Sequence, residues 1–407
     1  MLYEKQREGQ LELPLGQRRV RPAETAPQNP LVLNVAGIFA GVGGIELGLH
    51  RAGHTTRMLC ENDPAAAAVL RHRFKGIDLH DDVLTLDTLP TDVDLVAGGF
   101  PCQDLSQAGL TTGIQGHRSG LVFEVFRLLR KRPVPWVLLE NVPFMMQLAK
   151  GKALELVLDA LEGLGYRWAY RVVNSRAFGL PQRRLRVYIL ASLEGDPRDV
   201  LLADDAGEPE PSDAEGFACG FYWTEGIRGL GWAVDSIPTL KGGSTVGIPS
   251  PPAIVMPDGR VVKPEIRDAE RLQGFRAGWT KPAERVARHS ARWKLVGNAV
   301  SVPAARWLGE RLALPGHFNP SHELPLMNGK SWPTVAWNVG DGRFTQEVSS
   351  WPVRRRQLHL HSFLRYPGQP LSARATSGFL SRTDRASLRF PDGFLDTLRS
   401  HLSRQVA

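Results

Sequence analysis

Short apolar runs that stop abruptly at glycine, asparagine or an acidic residue recur along this chain, and few folds accommodate them. Residues 31–39 form one such run, which breaks into Ala40-Gly41-Val42-Gly43-Gly44 ahead of an amphipathic stretch at 45–51. A second short strand ends in Cys60-Glu61-Asn62-Asp63-Pro64, and a further run at 94–97 leaves through Gly98-Gly99 into Phe100-Pro101-Cys102-Gln103. The run at 136–139 ends in Glu140-Asn141-Val142-Pro143. Helical stretches at 65–74 and 121–131 lie between these strands, and an Asp63-Pro64 pair reads as the N-cap and first position of the helix that follows it. Strands alternating with helices predict an α/β, doubly wound, mostly parallel sheet covered on both faces. In such a sheet ligands bind where strands end, so these abrupt exits mark one binding edge.

The residues at that edge carry chemistry. Cys102 sits on a loop after a strand, between Pro101 and the polar Gln103, Asp104 and Ser106, where a thiolate can act as a nucleophile. Glu140 ends a buried strand, so poor solvation should raise its pKa and let it hold a proton. Arg184 and Arg186, two apart at the start of the strand 187–191, can aim at one site, although a basic strand start also reads as a solvated edge. Glu61 lies twenty residues beyond Gly41, about where an acid meets ribose hydroxyls. Glu46 occupies the position where a dinucleotide fingerprint would want its third glycine, so that fingerprint is broken. Asp81-Asp82-Val83 forms a third acidic edge, equally readable as a solvated turn. Residues 105–120, rich in Gly, Ser, Thr and Gln, read as a mobile loop beside Cys102 that could close over a substrate.

In this order the motifs resemble the DNA (cytosine-5) methyltransferases of prokaryotic type, a family with the S-adenosylmethionine-dependent methyltransferase fold. Pro101-Cys102-Gln103 matches the family's catalytic loop, Glu140-Asn141-Val142 its cytosine-edge motif, and Gln182, Arg184 and Arg186 its Gln-x-Arg-x-Arg, which gives Arg186 the cytosine carbonyl. Phe39, Gly41, Val42, Gly43 and Gly44 match its S-adenosylmethionine turn. By the same resemblance Glu61 and Asn62 fall at the ribose, Asp82 and Val83 at the adenine, and Pro101, Asn298 and Val300 also at the cofactor. The loop around Pro238 and Lys241 is near DNA in the family, and Gln103 and Ser106 are the corresponding contacts in the catalytic loop. What this implies is methyl transfer to carbon 5 of cytosine in double-stranded DNA, through a covalent cysteine adduct on a flipped-out base. A restriction-modification or antiviral defence setting is expected from the same resemblance, and the sparse cysteines point to a reducing cytoplasm. A tRNA cytosine-5 methyltransferase and a catalytically inactive DNA-binding relative stay open at this level.

Composition agrees with a polyanionic partner, since the 407 residues carry a formal net charge of +8. Three widely spaced cysteines signal neither a disulfide framework nor a zinc site, no metal is expected, and no apolar run suggests a membrane span. The expected organisation is a flexible arm at 1–30, a catalytic and cofactor domain at 31–193, a smaller target-recognition domain at 194–280, a return segment at 281–312 and a basic extension at 313–407. A monomer is favoured. The extension holds 12 Lys and Arg against 6 Asp and Glu, with Arg354, Arg355, Arg356 and Arg374 among aromatic residues, a mixture suited to DNA. Its removal after Leu314 is expected to leave cofactor binding intact and to weaken DNA binding. His359 and His361 read as one face of a strand.

Overall fold

The structure, a computed structural model, describes residues 30–101, 120–210, 215–243, 251–327 and 331–406. The arm expected at 1–30, Pro30 excepted, lies outside them, as do Cys102, Gln103, Ser106 and all of the loop 105–120 but Gly120. Leu31–Ala407 forms one compact unit.

Its first half follows the strand-and-helix alternation of the sequence. β1 (Asn34–Ile38), β2 (Thr55–Cys60), β3 (Asp78–His80), β4 (Leu95–Gly99) and β5 (Trp136–Asn141) pair in the order β3-β2-β1-β4-β5, all parallel. Beyond β5 the sheet turns antiparallel. β6 (Arg167–Asn174) and β8 (Leu185–Ser192) continue it in the order β5-β8-β6, while the two-residue β7 (Gln182–Arg183) stands outside. α1 (Gly44–Arg51) and α2 (Pro64–Arg73) follow β1 and β2. Asp63 caps α2 as expected, its carboxylate accepting from the N–H groups of Ala65 at 2.9 Å and Ala66 at 3.2 Å.

Helices cover both faces. Val125 and Leu129 of the helix Val122–Lys131, with Leu154 and Leu158 of Lys152–Glu162, fill one side. Leu49 of α1, Val200 of Pro197–Leu201 and Trp307 and Leu308 of Val302–Ala313 fill the other. Each such side chain contributes about 1.5–3 kcal/mol relative to exposure. A second, smaller sheet has the order β10-β9-β12-β13-β17, formed by β9 (Cys219–Phe221), β10 (Trp232–Val234), β12 (Ala253–Val255), β13 (Val261–Lys263) and β17 (Gln369–Pro370). β11 (Ile237–Pro238) pairs with β7 and ties the two parts of the fold together.

Two boundaries differ from the sequence-based division. Residues 197–210 stay with the large sheet, because Val200, Leu201 and Leu202 pack in its core and the buried Arg171 of β6 donates to the carbonyls of Leu201 and Asp204. The basic extension 313–407 is also not one piece. Its strands β14 (Leu324–Pro325), β15 (Val335–Asn338) and β16 (Arg343–Thr345) extend the large sheet from β6. Its remainder joins the small sheet, where Phe379 of the helix Ala373–Thr383 and Phe394 of Phe394–Val406 meet Phe221 at ring distances of 4.7 and 5.3 Å. His359 and His361 belong to no strand. His359 precedes the short helix Leu360–Phe363 because its Nδ1 meets Asp235 at 2.9 Å, while the Leu360 N–H donates to the same carboxylate at 2.7 Å.

Candidate active site at the carboxyl edge of the parallel strands

The chain leaves β1 through strained backbone. Phe39 has φ 56, a region costly for a bulky residue, and Gly41 and Gly43 follow at φ 56 and 80. A side chain on Gly41 would meet nothing within 4 Å, whereas one on Gly44 would come within 2.8 Å of the Val300 carbonyl oxygen. The turn is therefore open on one side and closed by the return segment on the other. Glu61 fixes it from β2, accepting from the Gly41 N–H at 2.7 Å and the Asp63 N–H at 2.8 Å. Burial pushes the Glu61 carboxyl above its ordinary pKa, and the two N–H donors partly offset this. A carboxylate has about four lone-pair sites, so it keeps room for a hydroxyl donor. Asn62 is exposed beside it, while Asp82 bends its own loop by accepting from the Leu84 N–H at 2.9 Å with Val83 buried behind it. An open glycine turn with a free carboxylate edge fits a nucleoside-bearing cofactor.

Glu46 was not anticipated as a buried acid. It is fully buried in α1, neither carboxylate oxygen has a partner among the described residues, and burial raises its pKa from 4.5 to about 8. A side chain at Gly37 of β1 would collide with it.

Two strands away, Glu140 is the penultimate residue of β5. Its Oε1 lies 2.9 Å from Arg186 Nε of β8. Burial raises the Glu140 pKa, opposed by Arg186 and then Arg184. Gly99 of β4 faces this carboxylate: a side chain there would come within 3.2 Å of Glu140 Oε2. The neighbouring Asn141, buried, donates from Nδ2 to the Phe100 carbonyl at 3.0 Å. It thereby pins the backbone that leads to exposed Pro101 and on to position 102. The sequence places Asn141 in the cytosine-edge motif but gives it no separate role, and its hold on the Phe100 carbonyl comes from the fold.

Arg184 and Arg186 do not share a task. Arg184 is fully buried and donates to the carbonyls of Leu240 at 3.1 Å, Gly297 at 3.2 Å and Ala299 at 2.6 Å, so it clamps two chain segments instead of reaching the pocket. Burial lowers its pKa to about 9, with the charge of Arg186 adding to the effect. Gln182 works alongside it, accepting from the Leu240 N–H at 2.9 Å and donating to the Leu272 carbonyl at 2.8 Å. The clamp is tight, since a side chain on Gly242 would strike Asn298 and one on Gly297 would strike the Lys241 backbone. Exposed Asn298 and buried Val300 thus stand at the rim between the two strand edges.

Lys241 lies at this rim too, 3.1 Å from the buried Glu225 and 4.0 Å over the Tyr222 ring. Two arginines of the run expected at DNA are engaged with the protein. Arg354 donates to the carbonyls of Ala206 and Gly207, and Arg355 pairs with Glu310 at 3.1 Å. Arg356 and Arg374 are exposed with no carboxylate partner among the described residues.

A sequence profile for C-5 cytosine-specific DNA methylase matches residues 33–214. The chain is 48% identical over 390 residues to the type II methyltransferase M2.BsuMI of Bacillus subtilis (strain 168), covering 92% of this chain and 99% of that one. That span takes in most of residues 313–407. It is also 26% identical over 296 residues to the type II methyltransferase M.MspI of Moraxella sp, covering 68% of this chain and 69% of that one. Among solved structures, the Dnmt2 methyltransferase of S. pombe aligns with a TM-score of 0.47 at 17% identity, over 69% of this chain and 98% of that chain.

Proposed function

Since this chain belongs to the C-5 cytosine-specific DNA methylases and is a DNA cytosine-5 methyltransferase, we propose that Glu140 and Arg186 grip the cytosine that Cys102 attacks. The observation that carries this reading is the buried pair of Glu140 and Arg186, 2.9 Å apart and facing Gly99 at the strand edge. Carbon 5 of cytosine is a poor nucleophile. Addition of the Cys102 thiolate to carbon 6 pushes an electron pair through the ring toward nitrogen 3, where Glu140, its pKa raised by burial, supplies a proton. Arg186 holds the carbonyl oxygen and keeps Glu140 oriented. Carbon 5 then carries the electron density to take a methyl group. Loss of its proton afterwards returns the electron pair and expels the thiolate.

S-adenosylmethionine, when bound, supplies an electrophilic methyl on a sulfonium. The open turn 39–44 and the Glu61 carboxylate would hold it, with Asn62, Asp82, Val83, Pro101, Asn298 and Val300 around it. Because a ring within a stacked duplex cannot reach a buried carboxylate, the cytosine must be flipped out. The catalytic module then comprises the described residues of 31–210 and 275–358, since Phe275 and Trp279 pack with Val42 and Ala66, and the small module those of 215–272 with 359–406. The setting is type II restriction-modification in the cytoplasm, where methylation marks the cell's own DNA against a cognate nuclease. No helix among the described residues is long and apolar enough to cross a membrane.

Bisulfite sequencing of DNA from cells expressing the chain tests this reading. Protected cytosines should recur within one short sequence. A bisulfite map identical to that of cells lacking the protein would overturn it.

A further inference from the structure

A line of contacts leads from the catalytic rim along the small module to a cleft that the mechanism does not use. Asn298 abuts Gly242, and Lys241 beside it pairs with Glu225 and covers the Tyr222 ring. Tyr222 in turn donates to the Thr239 carbonyl at 2.7 Å. The next residue, Trp223, forms one wall of a cleft of about 450 Å³ whose other wall is the helix Ala373–Thr383. That helix contributes Arg374, Ala375, Gly378 and Arg382. The small residues leave the floor low: a side chain on Gly378 would touch only Arg382, at 3.6 Å.

The charges in this cleft are differently committed. Arg382 donates to the Trp223 carbonyl, which fixes it, and its Nε is buried with no partner among the described residues. The neighbouring Arg385 is exposed and close enough to lower the Arg382 pKa further, after burial. Arg374 is exposed and lacks a carboxylate partner among the described residues. Two guanidiniums at an open cleft with Arg385 close to one of them, and no carboxylate partner for Arg374 among the described residues, favour an anion with repeated charges.

We infer that the Trp223–Arg374–Arg382 cleft is a phosphate-contact site for the DNA duplex, seating a strand that runs outward from the target cytosine. It rests on the reading of duplex DNA as substrate, and places phosphate contacts on the helix Ala373–Thr383. Phosphate contacts position a duplex without reading it, so the site governs affinity and salt dependence rather than sequence.

The test uses the full chain and a fluorescent duplex containing the site that bisulfite mapping finds for the wild type, titrated from 50 to 200 mM NaCl. Arg374→Glu should weaken binding on the order of tenfold at the lower salt, and reduce the slope of log K against log salt by about 1, as one phosphate contact is lost. Arg374→Lys should restore the slope, and the methylated sequence should stay the same in both. An unchanged slope and affinity in Arg374→Glu, with wild type still methylating its site, overturns this assignment alone. A changed methylated sequence with an unchanged slope would instead make Arg374 a base reader and equally overturn it. Failure of the wild type to bind or methylate any duplex would remove the underlying reading first.

Discussion

At the scale of single residues, chemistry and stability separate cleanly. Cys102→Ser should abolish turnover, measured as methyl incorporation into duplex DNA, because an alcohol is a far weaker nucleophile. Its cofactor affinity should persist, since the glycine turn and Glu61 lie on other strands. Glu140→Gln should slow turnover by about 10²–10⁴-fold, as an amide cannot supply the proton at nitrogen 3. Glu61→Ala should weaken S-adenosylmethionine binding roughly 10–100-fold by calorimetry, the range expected for hydrogen bonds to a charged group. Glu46 makes a different prediction. Its folded pKa of about 8 exceeds the ordinary 4.5, so between those values the folded chain holds a proton that the unfolded chain has released. Stability must fall as pH rises through that window, by up to about 1.4 kcal/mol per unit. Glu46→Gln cannot titrate, so its stability advantage over wild type in chemical denaturation should grow from about pH 5 to about pH 8 and then level off. An advantage independent of pH would show that Glu46 is already ionised in the fold.

Among elements, the junction between β8, the loop after β11 and the return segment carries the most consequence. Arg184 satisfies three carbonyls from two segments, and Gln182 supports the same loop. Removing a buried donor leaves each acceptor unpaired at a cost of about 1–3 kcal/mol. Arg184→Ala should therefore lower the unfolding free energy by at least about 3 kcal/mol, read by urea denaturation. The alternation of strand and helix that predicted β1 to β5 was visible because each strand is a continuous apolar run with a polar exit. Strand ends were less visible, since Glu140 continues β5 while its side chain is already at the site. The clamp itself was invisible: Arg184 and Arg186 look equivalent at a spacing of two, and only the carbonyls brought from positions 240, 297 and 299 distinguish them.

For the whole molecule, the C-terminal residues are structural on both sheets. β15 pairs with β6 and covers a region where Trp168 and Tyr170 are buried, while Phe379 and Phe394 close the core around Phe221. Truncation near Leu314 would expose these aromatic side chains, each worth about 1.5–3 kcal/mol when buried. The expectation that such a chain keeps its cofactor affinity gives way to another. The truncated protein should be recovered largely as aggregate, and any soluble fraction should lack a cooperative thermal transition in calorimetry.

The sequence by itself determined the α/β class, the glycine turn and the acid at the end of β5, because each depends on residues adjacent along the chain and on strand periodicity. Tertiary structure decided what depends on segments far apart. It divided residues 313–407 between two sheets, since an apolar strand declares that it must be buried but not against which edge. It also turned Arg184 inward, engaged Arg355 with Glu310 and left Arg374 exposed. A guanidinium reads the same in every sequence, and the partner that fixes its role comes from wherever the fold brings a carbonyl, a carboxylate or solvent within reach.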